Sequence, residues 1–261
     1  MLPALYVAKT GLSAQDTHLA TISNNLANVS TTGFKRSRAE FQDLLYQTHK
    51  QPGAQSTQNS ELPSGLQTGT GVGIVGTQKN FTEGSLQTTG QPLDMAINGR
   101  GFFQILQPDG TNSYTRDGTF HLDANGRIVN ANGFALEPAI VVPVNAKTFT
   151  VGQDGTVSIT VAGSPATQVI GNVQTADFIN PAGLQAIGGN LFLETAASGA
   201  PQVGTPGLNG FGTTLQNSLE ASNVSTVEEM VNMITTQRAY EMNAKVVKTA
   251  DEMLSALAQK L

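Results

Sequence analysis

ISNNLANVSTTGFK, residues 22–35, is where a long helical pattern stops and a chain of different character begins. Upstream of it, Leu5, Ala8, Leu12, Leu19, Ile22, Leu26 and Val29 recur at alternating three- and four-residue steps. Gln15 is the only polar residue in that register. Such an a/d seam, held for nearly four heptads, predicts one helix over the first thirty residues. Gly11 is its weak interior point, because glycine is less favourable than alanine there by about 1 kcal/mol. The pattern dissolves at Asn24, Asn25 and Asn28, whose amides offer donors and acceptors to a helix end or to the backbone of a neighbouring copy. Gly33 suits a left-handed turn that redirects the chain.

The other end of the chain carries a second helical pattern. Ser225-Thr226-Val227-Glu228 fits a capping box, in which the hydroxyl accepts from the N3 amide and the glutamate reaches back to the cap. From Val227, VEEMVNMITTQRAYEMNAKVVKTADEMLSALAQKL runs to residue 261 without Gly or Pro. Met230, Met233, Tyr240, Ala244, Val247, Leu254, Ala258 and Leu261 share a three/four register, interrupted at Gln237 and Asp251. Val246, Ala250, Met253 and Leu257 flank it, so the apolar face is broad. At 1.5 Å per residue the helices would be roughly 40 and 54 Å long.

An ordinary helix pair within one chain is one reading of these ends. A single partner covers only one side of each helix, however, and the broad second face calls for further neighbours. Contact between copies is therefore the favoured expectation. Its residues would be Leu5, Leu12, Leu19, Ile22, Asn24, Asn25, Leu26 and Asn28 on the first helix. On the second they would be Met230, Met233, Tyr240, Val247, Leu254 and Leu257.

Between the helices the composition changes. Residues 51–78, QPGAQSTQNSELPSGLQTGTGVGIVGTQ, hold one charge, Glu61, and read as a loop or an extended hairpin. GVGIVG at 71–76 matches G-x-G-x-x-G formally, but the next residues, TQKNFTEGSLQTTGQP, cannot open the helix that a dinucleotide site needs. From about 80 to 205, short strands alternate with turns at Asn98-Gly99, Asp109-Gly110, Asp117-Gly118, Asn125-Gly126 and Asp154-Gly155. Asn-Gly and Asp-Gly favour two-residue hairpins, because both positions tolerate positive φ. The predicted class is α+β: N- and C-terminal helices paired as a coiled coil, with an inserted antiparallel β-domain. Residues 1–30 with 225–261 would form the helical assembly domain. Residues 31–80 with 206–224 would form a linker and extended hairpin region, and 81–205 the β-domain.

Composition narrows the function. In 261 residues there are 28 Gly and no Cys, charged residues make up 13%, and the net charge is −5. The negative balance disfavours a nucleic-acid partner. Lys35-Arg36-Ser37-Arg38, the one compact basic cluster, reads as a solvated face or a partner for a neighbour's carboxylates. Absence of cysteine excludes disulfides and thiol chemistry. His18, His49 and His121 lack metal-ligand spacing, and the aspartates 109, 117, 123 and 154 are explained by turns. The first eighteen residues lack the basic and unbroken apolar regions of a Sec signal peptide, and no apolar run is long enough to span a bilayer. No catalytic constellation, cofactor site, metal site or small-molecule substrate is expected.

Four segments resemble one family. SNNLANVSTTGFKRSRAEFQDLL (23–45) is similar to the N-terminal signature of flagellar rod and hook proteins. So are QPLDMAINGRGFFQIL (91–106), SYTRDGTFHLDANGRIVNANGF (113–134) and the closing VEEMVNMITTQRAYEMNAKVVKTADEML (227–254). Ser30 stands where the family commonly has Asn. The length is short for a hook protein, and YQTHKQPGAQSTQNSELPSGLQTGTGV (46–72) resembles the insertion of the family's distal-rod branch.

The resemblance implies a non-enzymatic axial subunit of the bacterial flagellar basal body, polymerising helically into a torque-transmitting tube that also serves as export channel. The terminal helices would form its inner wall and the β-domain would face outward. It implies as partners further copies of the chain, proximal rod proteins, the hook protein, the P- and L-ring proteins, the export apparatus and a rod cap. It also implies a place from the periplasm to the outer membrane, reached without a cleaved signal peptide, by a chain whose ends order on assembly. A proximal rod protein of the same family, or a secreted β-rich adhesin, are the alternative readings.

Overall fold

The computed structural model describes residues 2–53, 55–57, 60–61, 63–161 and 166–258. The chain forms two units, one of residues 1–27, 37–78 and 225–261, the other of 28–36 and 79–224. It passes between them four times.

Unit 1 contains two long helices, α1 (Leu2–Ala27) and α2 (Thr226–Ala258), and a long β-ribbon. The helices are antiparallel: Gly11 meets Asn243, while His18 Nδ1 lies 3.2 Å from Thr236 Oγ1. Gly11 gains a reason from this packing. A Cβ there would stand 3.1 Å from Asn243 Nδ2, so the missing side chain lets the helices approach closely. The Ser225 hydroxyl caps α2 by accepting from Glu228 N at a long 3.5 Å. Among the described residues no helix is long and apolar enough to cross a membrane.

The stretch 51–78, read as a loop or an extended hairpin, lies in a hairpin. Ser37–Asp43 pairs with Val72–Lys79, Gln47–Lys50 with Leu66–Thr68, and Gln55–Thr57 with Ser60–Glu61. Three nested ladders thus make one ribbon, and most of its described side chains are exposed. Asn25 fastens the ribbon to α1: its Nδ2 donates to Ser37 O and its Oδ1 accepts from Ser37 N, both at 2.9 Å.

Unit 2 is antiparallel β throughout its described ladders. Its nine-stranded sheet is organised around Phe102–Leu106, which pairs with Asn112–Thr115, Ala135–Glu137 and Thr175–Asp177. That strand is buried on both faces. Phe103 and Ile105 enter one core with Met95, Phe120, Ile128 and Leu136. Phe102 points the other way into a cluster with Tyr114, Phe178 and Phe192. Ala146–Val151, Thr156–Val161 and Thr167–Asn172 form a separate three-stranded sheet, whose inward residues complete the first core.

The turn readings divide by what lies beyond the turn. Asp109-Gly110, Asn125-Gly126 and Asp154-Gly155 each close a hairpin between neighbouring strands. Asn98-Gly99 and Asp117-Gly118 do not. Met95–Asn98 pairs with the distant Thr213–Gln216, and a Cβ on Gly118 would collide with Met95 O. At Asn98-Gly99 the strand's partner comes from elsewhere in the chain, and at Asp117-Gly118 the glycine does not take the positive φ that a two-residue hairpin turn needs.

Candidate assembly surface

The seam read on α1 is its inward face. None of positions 5, 8, 12, 15, 19, 22 and 26 is exposed. Ala8 and Ile22 are buried, and Leu5, Leu12, Leu19 and Leu26 are half-buried beside them. Asn25 is also buried, and both ends of its amide bond Ser37 within the chain. Asn24 is exposed. Asn28 works locally at the helix exit, where its Oδ1 accepts from Thr31 Oγ1 at 3.2 Å and its carbonyl from Thr31 N. Gly33 has φ +67, and a Cβ there would stand 2.6 Å from Asp117 N, so the turn requires glycine.

On α2 the inward register lies one residue away from the one read in the sequence. Glu229, Thr236 and Ala250 are buried, with Asn232, Ala239 and Asn243 half-buried between them. These residues are small or polar and match the small residues Ala8, Gly11 and Ala14 of α1. The apolar register faces outward instead. Met230 is 54% exposed, Tyr240 and Leu254 are exposed, and only Met233 and Val247 are half-buried. The side chain of Leu257 lies outside the described residues. Around this register Val227, Val231, Ile234, Met242, Val246 and Met253 are exposed as well. Close helix approach selects the small face for the pair and leaves the bulky one to solvent.

Residues on the ribbon of unit 1 are exposed as well: Phe41, Leu45, Tyr46, Leu66, Ile74 and Val75, Leu45 at 89%. An apolar groove lined by Pro3, Ala4, Val7, Gly71 and Val246 opens between the start of α1, the ribbon and α2.

Unit 2 holds a polar centre that spacing did not reveal. The Lys35 ammonium, fully buried, donates to Glu220 Oε1 at 2.5 Å and to Thr82 O at 2.8 Å. Arg116, on the far side of the carboxylate, donates to Glu220 Oε2 and Ile97 O at 3.3 Å and to Gly99 O at 2.7 Å. Gly84 N completes the set, donating to Glu220 Oε1 at 2.9 Å. Burial pushes the Lys35 ammonium below its ordinary value, against the opposing pull of Glu220. The Arg116 guanidinium is lowered for the same reason. The solvated-face reading therefore fails for Lys35, although it fits the exposed Arg38, paired with Glu40 at 3.0 Å. Residues 35, 116 and 220 have no periodic relation in sequence; only the fold joins them.

A long helix with an exposed apolar face, in one chain with a β-unit closed around its own cores, is the arrangement that comparison with known proteins places. The family model described as flagella basal body rod protein matches residues 5–35. The flagellar hook protein FlgE/F/G D1 domain matches 96–159, and the flagellar basal body rod FlgEFG C-terminal model matches 215–260. Proteins named flagellar basal-body rod protein FlgG are similar along nearly their whole length. The one from Buchnera aphidicola subsp. Schizaphis graminum is 51% identical, covering 99% of this chain and 100% of the relative. That of Caulobacter vibrioides is 48% identical with 99% of both chains covered, and that of Bacillus subtilis 38% with 98% of both. The chain belongs to the FlgG family of flagellar basal-body rod proteins.

Proposed function

We infer that the chain is a structural subunit of the flagellar basal-body rod, specifically its distal part, and not an enzyme. One observation supports this most strongly: α2 pairs with α1 through small and polar residues while its bulky apolar side chains stay exposed. Helical polymerisation gives that surface a partner, because two different patches on one chain can meet repeatedly without closing a ring. The contact surface would comprise Met230, Met233, Tyr240, Val247, Leu254 and Leu257 on α2, with Leu5, Leu12, Leu19, Ile22, Asn24, Asn25, Leu26 and Asn28 contributing along and just beyond α1. In the tube the helices would pair as coiled coils forming the inner wall.

The further partners belong to the same reading. Proximal rod proteins and the hook protein would adjoin the tube at its ends, and the P- and L-ring proteins would surround the β-units. The export apparatus would deliver the unfolded chain, and a rod cap would guide assembly from the periplasm to the outer membrane. The nearly uncharged hairpin would wedge between neighbouring subunits and stiffen the tube. Deleting residues 46–64 should then give curved or bendable polymers; straight rods like those of the intact chain would sink this role.

The central test compares circular dichroism of dilute chain and polymer, followed by image reconstruction of the polymer at side-chain resolution. Helix content should rise on polymerisation, and the α2 face should be covered by neighbouring copies. A polymer in which Met230, Tyr240 and Leu254 stay solvent-exposed contradicts the proposed surface.

A further inference from the structure

The helix seams make no use of the three buried charges in unit 2. Two cations around one carboxylate are a poor choice for stability alone, since desolvation often outweighs the gain over apolar side chains of similar volume. What charge-assisted bonds supply better than apolar contacts is direction. The partners of this cluster show where that direction is applied. Lys35 lies in the last stretch before the chain enters the ribbon at Ser37, and Glu220 in the last strand before the cap of α2. The two stretches are joined repeatedly. Gly33 N donates to Glu220 O at 2.8 Å, Lys35 binds the Glu220 carboxylate, and Arg36 N donates to Asn223 Oδ1 at 2.7 Å. The Asn223 backbone N also donates to Phe34 O at 3.4 Å, and its Nδ2 donates to Asn80 O at 2.9 Å. Arg116 anchors the other side of the carboxylate to the carbonyls of Ile97 and Gly99.

We propose that Lys35, Arg116 and Glu220 form a positioning device, which holds the segment leaving α1 and the segment entering α2 at one fixed spacing on the β-unit. Polymer geometry then depends on the cluster more than the β-fold does. The inference rests on the rod reading, because it assigns the cluster a task only in a chain that polymerises. Glu220 is the critical member: its carboxylate must reach Lys35, Gly84 N and Arg116 at once, and a side chain one methylene shorter cannot.

The test uses the full-length chain with Glu220→Asp and Glu220→Gln. Thermal unfolding of the β-signal is measured beside polymer yield and helical repeat by electron microscopy. Glu220→Asp keeps the charge but strains the buried set, so it should lower the melting of the β-signal by roughly 5–15 °C while leaving it folded at the assembly temperature, yet give about tenfold less polymer or a changed helical repeat. Glu220→Gln should lose more of both. Parent-like yield and repeat in both variants overturn the proposal. So does loss of polymer only in step with loss of the β-fold, which would make the cluster an ordinary fold contact. If the parent chain itself forms no polymer, the rod reading falls and this inference falls with it.

Discussion

The two units use similar residue types and place them oppositely. Unit 2 closes its large apolar side chains inside: Met95, Phe102, Phe103, Phe120, Leu136 and Phe178 are all at 2% exposure or less. In unit 1 the buried apolar residues are Ile22 and four alanines, Ala8, Ala14, Ala39 and Ala250, among the described residues. Well over half of the exposed large apolar side chains nevertheless belong to unit 1, the smaller share of the chain. A strand such as Phe102–Leu106 finds cover on both faces within one chain. A helix pair covers one stripe on each member and leaves the rest. Unit 1 therefore leaves apolar surface uncovered within the chain, whereas unit 2 carries its own core.

Four measurements put this contrast at risk. The largest effect is expected on the exposed face of α2. The double variant Met230→Asp/Ile234→Asp should cut polymer yield by roughly 100-fold, as read by sedimentation, with the melting of unit 2 unchanged. Undiminished polymer would mean that this face is not a contact. In unit 2, Phe103→Ala should remove about 3–5 kcal/mol of stability in denaturant titration. Phe103 is fully buried and edge-on to Phe120 at 5.3 Å, so the cavity has little means to collapse.

The third effect is alkaline and again specific to unit 2. Burial, with Glu194 nearby, pushes the Tyr114 hydroxyl up to about 12 from an ordinary 10.0. A raised folded value means that its contribution is fully present below pH 10 and is lost as pH rises through about 12. The shift corresponds to about 2–3 kcal/mol. Tyrosinate absorbance should rise late for one tyrosine, and Tyr114→Phe should flatten the loss of stability between these pH values. The smallest effect is Asn25→Ala in unit 1. It leaves both backbone groups of Ser37 without the amide and should cost roughly 1–2 kcal/mol. Faster hydrogen exchange at the Ser37 amide, with the strands of unit 2 unaffected, is the expected result.

How far these features are legible in sequence depends on their range. The hairpins at Asp109-Gly110, Asn125-Gly126 and Asp154-Gly155 are legible, because turn residues and flanking strands are adjacent in the chain. Asn98-Gly99 misleads, because Met95–Asn98 takes its partner more than a hundred residues onward. The α2 register comes out one residue away from its apolar pattern for a related reason. Apolar periodicity shows which face of a helix must be buried somewhere, but not whether the burial occurs within the chain. Against α1, with Gly11 at the contact, the small face of α2 fits more closely than the Met230 face. The Lys35–Glu220 pair spans 185 residues, beyond any pattern that spacing can carry.

The class of the protein is written in local sequence: long terminal helices from heptad spacing, a β-rich middle from turn chemistry, and a family likeness carried by segments near both ends and in the middle. Each of these is set by a few consecutive residues and their backbone preferences. Folding in three dimensions settles the rest: which face of α2 meets α1, which strands pair across the β-unit, and where Lys35, Arg116 and Glu220 come together. Those outcomes depend on steric fit and on the burial of charge among residues distant in the chain, and both exist only once the chain is folded.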